Sequence, residues 1–451
     1  MKHFFYKGKE NLLTGKQDLS EVLEISKKEF SKVLESKNLS FLMGSGCSLG
    51  PGGIPTMIEF AKKFFNPEKD VFESMSVTLQ GLVLTEAHKA ILSKLKIDIC
   101  KEPFISNIET FLGTLYSYKF YLDQIQDETA LSEINEVIIQ TKKFILYQCL
   151  NEDNTGKDSS ISDNYRDFYR RLSLRDSNLP KPNVFTTNYD LYSEKAMDDL
   201  GIHYTNGFSG FIERYFNPAI FNYALAEQMD ISSFKWNVID SFIYFFKIHG
   251  SVNWIEKYEG NKLFKIRELQ NATFKSLENE ENLMIYPSPI KQNASLGSPY
   301  SDLFREFQKR IAQNQSVLVT MGFSFGDEHI NNLIYQALTI PTFRLVVFSD
   351  LGYYKESEYI VARENISRLR DLNDPRIWII GSDKEFEVLP AVGDKKEIWN
   401  EINDEPGLFH FSTIVSKLLP DWSENKIQDK NEKLIELMTT NLTKSASDDK
   451  G

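Results

Sequence analysis

The chain has 451 residues, of which 41% are hydrophobic and 13% are aromatic, and this composition predicts a folded protein rather than a disordered one. Its 64 acidic and 52 basic residues give a net charge of -12, which disfavours nucleic-acid binding through phosphate neutralisation. The three scattered cysteines, Cys47, Cys100 and Cys149, exclude a four-cysteine zinc ribbon and a disulfide framework within this chain.

Neither the N-terminal residues nor the hydropathy of the chain predicts a membrane segment. The N-terminal residues lack the apolar core of a signal peptide, and no apolar run approaches the ~20 residues that span a bilayer. Because the few cysteines also fit a reducing compartment, we expect a cytoplasmic protein that does not bind membranes.

The first third of the chain changes from one pattern to another. Apolar residues at helical spacing over 18–37 predict an N-terminal helical segment. "LSFLMG" (39–44) predicts a short buried strand, which leads into the small-residue loop "GSGCS" (44–48), a turn and a further helix. Residues 57–175 show helical spacing and no strand pattern of similar strength, which predicts an inserted helical module.

Strand patterns return in the second half of the chain, and they occur at residues 183–188, 242–250, 316–322, 343–350 and 376–382. Each is short and almost continuously apolar, which is typical of parallel strands covered on both faces. The polar residues 256–283 are expected to form an exposed excursion. We therefore predict an α/β fold with a Rossmann-like parallel sheet and helices on both faces.

The patterns divide the chain into five predicted parts. These are an N-terminal helical segment (1–37), an α/β domain (38–56 and 176–385), the inserted helical module (57–175), a C-terminal helical extension (386–443) and a disordered tail (444–451).

Ligands bind at the carboxyl ends of parallel strands, so polar strand ends are the places to look for chemistry. Three such ends are "TTNYD" (186–190), "KIHGS" (247–251) and "GFSFGDEHIN" (322–331). Each has a purely structural alternative: Asn188 or Asp190 as a helix cap, His249 as a packed histidine, and Asp327 as a helix cap.

Taken together and in this order, these segments resemble the sirtuin superfamily, specifically its bacterial defence-associated, sirtuin-like branch. The loop 44–48 is similar to the Gly-Ala-Gly-x-Ser loop of sirtuins, and Gly53-Ile54-Pro55 is similar to their Gly-Ile-Pro. Residues 186–190 resemble Thr-Gln-Asn-Ile-Asp, His249-Gly250 resembles His-Gly, and Gly322-Phe323-Ser324 resembles Gly-x-Ser. The resemblance covers roughly 38–60 and 180–385.

The resemblance implies NAD as the ligand, and the cleavage of NAD requires no metal, so we expect no metal site. Asn188 is expected to orient a water molecule and His249 to act as the general base. The residues expected to bind NAD are Gly44, Ser45, Gly46, Ser48, Thr187, Asp190, Gly322, Ser324 and Asp350. The glycines would let the pyrophosphate approach the backbone, and Asp190 would accept from the nicotinamide carboxamide.

The sequence departs from the deacetylases of this superfamily. Thr56-Met57-Ile58 replaces their Asp-Phe-Arg, and the zinc ribbon that supports the acyl-peptide cleft cannot form. We therefore predict an NAD glycohydrolase that releases nicotinamide and ADP-ribose in antiviral defence. The alternatives are an NAD-dependent protein deacylase and a non-catalytic subunit that senses NAD or ADP-ribose. The resemblance also implies a HerA-type hexameric ATPase as partner, and the aromatic-rich helical insertion leads us to expect a homo-oligomer.

Overall fold

The structure is a computed structural model of the chain. It describes residues 2–16, 18–154, 160–230, 235–239, 241–257, 265–280, 282–284, 298–350, 365–383 and 407–421.

Strands form one large sheet, one smaller sheet and one hairpin. In chain order they are β1 Lys2–Lys7, β2 Glu10–Asn11, β3 Asn38–Met43, β4 Asn183–Thr186, β5 His203–Thr205, β6 Phe208–Ser209, β7 Arg214–Phe216, β8 Ala226–Asp230, β9 Lys235–Val238, β10 Phe242–Lys247, β11 Gly250–Glu256, β12 Ile266–Glu268, β13 Asn282–Met284, β14 Ser316–Met321, β15 Arg344–Phe348 and β16 Ile377–Asp383.

The helices lie mostly between β3 and β4 and beside the later strands of the large sheet. They are α1 Leu19–Leu34, α2 Met57–Phe65, α3 Lys69–Ser74, α4 Val77–Gln80, α5 Glu86–Lys94, α6 Ile108–Gln124, α7 Glu128–Leu150, α8 Ser160–Ser173, α9 Tyr192–Asp199, α10 Phe274–Leu277, α11 Tyr300–Ile311, α12 Glu328–Leu338 and α13 Phe411–Thr413. Residues 365–371 are also helical.

The large sheet has the strand order β2-β1-β16-β15-β14-β3-β4-β10-β5. All pairs from β16 to β5 are parallel, and β1 pairs antiparallel with β16 at the other end. Successive residues of β3 point to opposite faces, so that Phe41 lies in one hydrophobic core and Leu42 in the other. The apolar strands are therefore buried on both sides, as their composition predicts.

Helices cover both faces of this sheet. One face packs against α1, α8, α9 and the C-terminal residues 411–419, and the other packs against α11, α12 and the helical residues 365–371. The predicted Rossmann-like α/β fold with helices on both faces is confirmed.

The helical stretch between β3 and β4 builds a third hydrophobic core. Apolar residues of α2 and α4–α7 form it together with Val252 and Ile255 of β11 and with Phe274 and Leu277 of α10. Helix α8, although it lies in the same stretch, packs on the sheet. Among the described residues of 57–175 no strand occurs. The boundaries of the predicted domains stay a prediction.

Two features differ from the sequence-based expectation. Residues 2–7 form a strand within the segment predicted to be helical, because adjacent Phe4 and Phe5 are both buried, one on each face of the sheet. A strand buried on both sides has no alternating pattern. The predicted exposed excursion is also wrong: β12 joins a five-stranded sheet of order β13-β11-β12-β7-β6, and Leu277 is fully buried.

Part of the predicted C-terminal extension is described. Residues 411–413 are α-helical, and Ile414–Leu418 form a π-helical turn against α1 and α8. The predicted tail 444–451 lies outside the described residues. Within the described part of the chain, no helix is both long and apolar enough to cross a membrane.

The connections of the large sheet reverse direction between β3 and β14. From β3 the chain continues to β4 on one side, whereas from β14 it continues through α12 to β15 on the other side. Such a topological switch point leaves a crevice at the carboxyl ends of the two strands, and ligands of open α/β sheets bind there. The loops 44–48 and 322–327 flank this crevice.

Candidate active site

Four loops meet at the carboxyl edge of the large sheet. They follow β14, β3, β4 and β10, which are neighbours in that order. They carry all of the sequence-predicted site residues except Asp350, which follows β15 one strand further along. The parallel sheet thus brings together segments that are far apart in the chain.

The glycines of the loops after β3 and β14 pack directly against each other. The N–H groups of Gly44 and Gly46 donate to the carbonyl oxygens of Met321 and Gly322, both at 2.9 Å. A Cβ on Gly46 would lie 2.7 Å from Cα of Gly322, and Gly322 itself has φ of +60°. These glycines are therefore required for the contact between the two loops, before any ligand is considered.

Behind the loop 44–48 lies a closed network of buried polar groups. Oγ of Ser48 donates to Oδ2 of Asp190 at 2.8 Å, accepts from Nδ2 of Asn188 at 3.1 Å and lies 2.8 Å from Oη of Tyr165. A serine hydroxyl has one donor and two acceptor sites, and all three are used here. The Ser48 hydroxyl is therefore fully engaged within the protein, and its part in NAD binding stays a prediction.

Asn188 connects this network to the glycine loop. Its Nδ2 also donates to the carbonyl oxygen of Gly44 at 3.0 Å, so both amide hydrogens are engaged and only Oδ1 remains as a polar group toward a ligand. Asp190 is held by the N–H of Tyr192 at 3.2 Å as well as by Ser48. Burial raises the pKa of the Asp190 carboxyl, an effect that the nearby Lys247 ammonium opposes.

Lys247, at the end of β10, supports the loop after β4 from below. Its fully buried ammonium donates to the carbonyl oxygens of Tyr189 and Asp190 and lies 3.0 Å from Oε1 of Glu194. Burial raises the pKa of the Glu194 carboxyl, and Lys247 counteracts that rise. The sequence analysis did not single out Lys247, although a lysine that ends an apolar strand is a visible signal.

The imidazole of His249 lies next to the carboxylate of Asp327, which comes from the other side of the crevice. Its Nε2 lies 3.0 Å from Oδ2 of Asp327, and both side chains are 11% exposed. Asp327 is also the N-cap of α12, as its structural alternative predicted, because its Oδ1 accepts from the N–H groups of His329 and Ile330. The ring of Tyr189 lies beside His249 with a centroid distance of 6.5 Å. The contact between Asp327 and His249 was not predicted from the sequence.

The rim of the crevice consists of small, accessible residues. Ser45 and Ser324 are exposed, whereas Gly46, Thr187, Gly322 and Asp350 are half-buried. Exposed hydroxyls on two backbone loops at a switch point fit a polar ligand such as a dinucleotide. The site therefore has an accessible rim and, beneath it, a buried network that shapes the loops.

Cys47 lies in the same region but is poorly placed to act as a nucleophile. Cys47 is buried with its Sγ 3.3 Å from the carbonyl oxygen of Met321, and burial raises the pKa of its thiol, which opposes a thiolate. In the parts of the chain that the structure describes, no group of three or more His, Cys, Asp or Glu side chains could hold a metal ion.

Residues 182–342 match the family model of the SIR2-like domain. The matched range begins just before β4 and ends after α12, so it carries Asn188, Asp190, His249, Gly322 and Asp327 but not the loop 44–48. No curated protein gives a match to the chain. The SIR2-like match, on a parallel sheet with these strand ends, supports a sirtuin-like family and NAD-related activity in general.

Proposed function

We propose that the chain is an NAD glycohydrolase, which cleaves NAD to nicotinamide and ADP-ribose and acts in antiphage defence by depleting NAD. The observation that carries the proposal is the histidine–carboxylate contact between His249 and Asp327 at the switch-point edge. It lies beside the loop of Asn188 within the part of the chain that matches the SIR2-like domain.

Hydrolysis of NAD requires the protein to position a water molecule and to remove its proton. Water forms a bond to the anomeric carbon of the nicotinamide ribose, and the bond to the pyridinium nitrogen breaks, with its electron pair going to the nicotinamide. His249 takes the proton from the water and later passes it to solvent. Asn188 orients the water through Oδ1 as an acceptor, because its two amide hydrogens are held by Gly44 and Ser48.

Two other functions are less well supported. A protein deacylase of the sirtuin type uses a four-cysteine zinc ribbon, and three cysteines cannot build one. A subunit that only senses NAD or ADP-ribose would have no need of an imidazole held 3.0 Å from a carboxylate. Hydrolysis of NAD makes use of both the imidazole and the carboxylate beside it.

The remaining expectations rest on the resemblance to the defence-associated branch. We propose that the protein acts in the cytoplasm, forms a homo-oligomer and works with a HerA-type hexameric ATPase. Co-purification of the two proteins from a strain that expresses both tests this partner.

The central experiment measures nicotinamide released from NAD by the purified chain, with and without the ATPase. The variants are His249→Gln and Asn188→Ala, and His203→Gln serves as the matched control because His203 is exposed on the edge strand β5. We expect release by the wild type without any acyl-peptide. Loss of the general base should lower kcat by about 100-fold or more, while the control keeps full activity.

Each alternative has its own outcome in this experiment. Nicotinamide that appears only with an acyl-peptide present supports the deacylase and overturns the hydrolase. Binding of NAD without turnover under every condition supports the sensor. Full activity of His249→Gln contradicts the assigned base.

A further inference from the structure

A second residue of the same site is assigned by its geometry. Resting on the proposed function, we propose that Asp327 is a positioning residue, which fixes the His249 imidazole across the crevice and increases its affinity for the proton taken from water.

The carboxylate of Asp327 is held rigidly. Its Oδ1 accepts from the N–H of His329 at 2.9 Å and from that of Ile330 at 3.2 Å, so the first turn of α12 holds one oxygen while the other faces His249. Because α12 is buried against the sheet through Ile330 and Ile334, the oxygen that faces the imidazole has a fixed place. A carboxylate on a free loop would not give this precision.

The contact reaches over two strands. Asp327 follows β14 and His249 follows β10, and the strands β3 and β4 lie between them in the sheet. The pair thus spans the carboxyl ends of the strands that carry the glycine loop and Asn188. Turning the imidazole away from Asp327 would lengthen this 3.0 Å contact.

The Asp327 carboxylate is a charge in direct contact with the His249 imidazole. Among the described residues, the Asp327 carboxylate from the loop after β14 lies 3.0 Å from the imidazole, and the Tyr189 ring from the loop after β4 lies beside it with a centroid distance of 6.5 Å. The cation on the histidine's own strand, Lys247, is turned to backbone carbonyls and Glu194. An opposite charge at 3.0 Å favours the protonated imidazole, and it therefore strengthens the base.

The substitution Asp327→Asn isolates this effect. Asparagine is as good an N-cap as aspartate, so α12 keeps its cap while His249 loses the charge. Asp127→Asn is the matched control, since Asp127 caps α7 through a bond from the N–H of Ala130 and lies in the helical stretch away from the crevice. Equal thermal unfolding of the two variants confirms that the fold is retained.

The first readout is the imidazole titration in the full chain and needs no NAD. The chain has six histidines, and His249→Gln identifies the signal of His249 in the NMR spectrum. We expect the His249 midpoint to fall by about one pH unit in Asp327→Asn and to stay unchanged in Asp127→Asn.

The second readout is nicotinamide release as a function of pH. Asp327→Asn should lower kcat by about tenfold or more with KM for NAD changed less than about twofold, and its acid limb should move to lower pH. Asp327→Ser, which also retains a capping oxygen, should lose kcat to the same extent.

The outcomes separate the two proposals. If both Asp327 variants keep the wild-type titration and kcat, Asp327 is a helix cap only and the inference is overturned. If the wild type releases no nicotinamide but the His249 midpoint still shifts in Asp327→Asn, the hydrolase fails while the pairing stands.

Discussion

Asn188 has two tasks at one position. Its amide hydrogens hold the carbonyl oxygen of Gly44 and the hydroxyl of Ser48, and its Oδ1 is the group left for the water of the proposed reaction. The resemblance to sirtuins predicts only the second task. The first became visible when the structure placed the loops after β3 and β4 side by side.

Asn188→Asp removes the amide donor at this position and keeps an acceptor oxygen, so it tests the first task separately from the second. A carboxylate cannot donate to Gly44 or Ser48, and it adds a charge close to buried Asp190. We therefore expect the free energy of unfolding to fall by about 2–3 kcal/mol and nicotinamide release to be lost. Denaturant unfolding and the release assay measure both. Asn222→Asp is the control because Asn222 is exposed and only accepts, from Lys309. Equal stability of the two variants would contradict the assignment.

Gly322 offers a test of the contact between the glycine loops. Alanine there must adopt φ of +60° and place its Cβ 2.5 Å from the backbone nitrogen of Cys47. We expect Gly322→Ala to lose about 1–2 kcal/mol through its conformation and about 1–3 kcal/mol more through overpacking.

Gly201→Ala is the matched control for this prediction. Gly201 has nearly the same φ, +62°, with nothing within 4 Å of the added Cβ, so it carries the conformational cost alone. Thermal or denaturant unfolding compares the two. If both variants lose the same stability, the loops do not need to approach as closely as the structure has them.

Among the elements, β10 supports the site through its last residue, Lys247. The ammonium of Lys247 holds two carbonyl oxygens of the loop after β4 and the carboxylate of Glu194 on α9. Three elements are thereby joined beneath Asn188. A buried charge of this kind stabilises only while its partners are present.

Lys247→Met should lower the free energy of unfolding by about 3–5 kcal/mol at neutral pH, because Glu194 is left buried without its cation. The pKa of the Glu194 carboxyl, already raised by burial, should rise further. Since the folded state then binds the proton more tightly than the unfolded state, stability is lost as pH rises through that pKa. The deficit should therefore grow from pH 5 to pH 8.

The double variant Lys247→Met/Glu194→Gln tests the cause of this deficit. It should recover part of the lost stability at pH 8 and show no pH dependence from this pair. A single variant whose deficit shrinks as pH rises would contradict the assignment. Denaturant unfolding at several pH values provides the measurement.

At the scale of the whole molecule, the parallel sheet was predictable and its additions were not. Short, continuously apolar strands such as β14 indicate burial on both faces whatever their neighbours are. The small sheet was missed because its strands β7 and β12 have three residues each, too few for a pattern. Its burial of Glu268 beside Arg214 cannot be read from local sequence.

The site shows the same division. Strand ends and the resemblance predict Asn188, His249 and the glycines, since those signals are local. The contacts of Asp327 with His249 and of Lys247 with Glu194 depend on which strands become neighbours. That order is a property of the assembled sheet. The sequence alone therefore predicts Asp327 as a helix cap but does not predict its contact with the His249 imidazole.

The expected self-association also belongs to this scale. Helix α6 carries the exposed aromatic residues Phe120 and Tyr121 about one turn before it ends, near its connection to α7. We expect light scattering to give the mass of an oligomer and Phe120→Glu/Tyr121→Glu to reduce it. Phe211→Glu is the control, since Phe211 is fully exposed on the turn between β6 and β7. A wild type with the mass of one chain would contradict the expectation.

Strand β11 connects the candidate site to the hydrophobic core of the helical stretch. It begins at Gly250, directly after the proposed base, and its Val252 and Ile255 lie in the hydrophobic core of the helical stretch. The N–H of Val252 also donates to the carbonyl oxygen of Tyr189 at 3.1 Å. Val252 follows His249 by three residues, so we expect a displacement of those helices to move the segment that carries the imidazole. A protein that binds the helical surface and moves these helices is therefore expected to change the position of the imidazole without contacting the crevice.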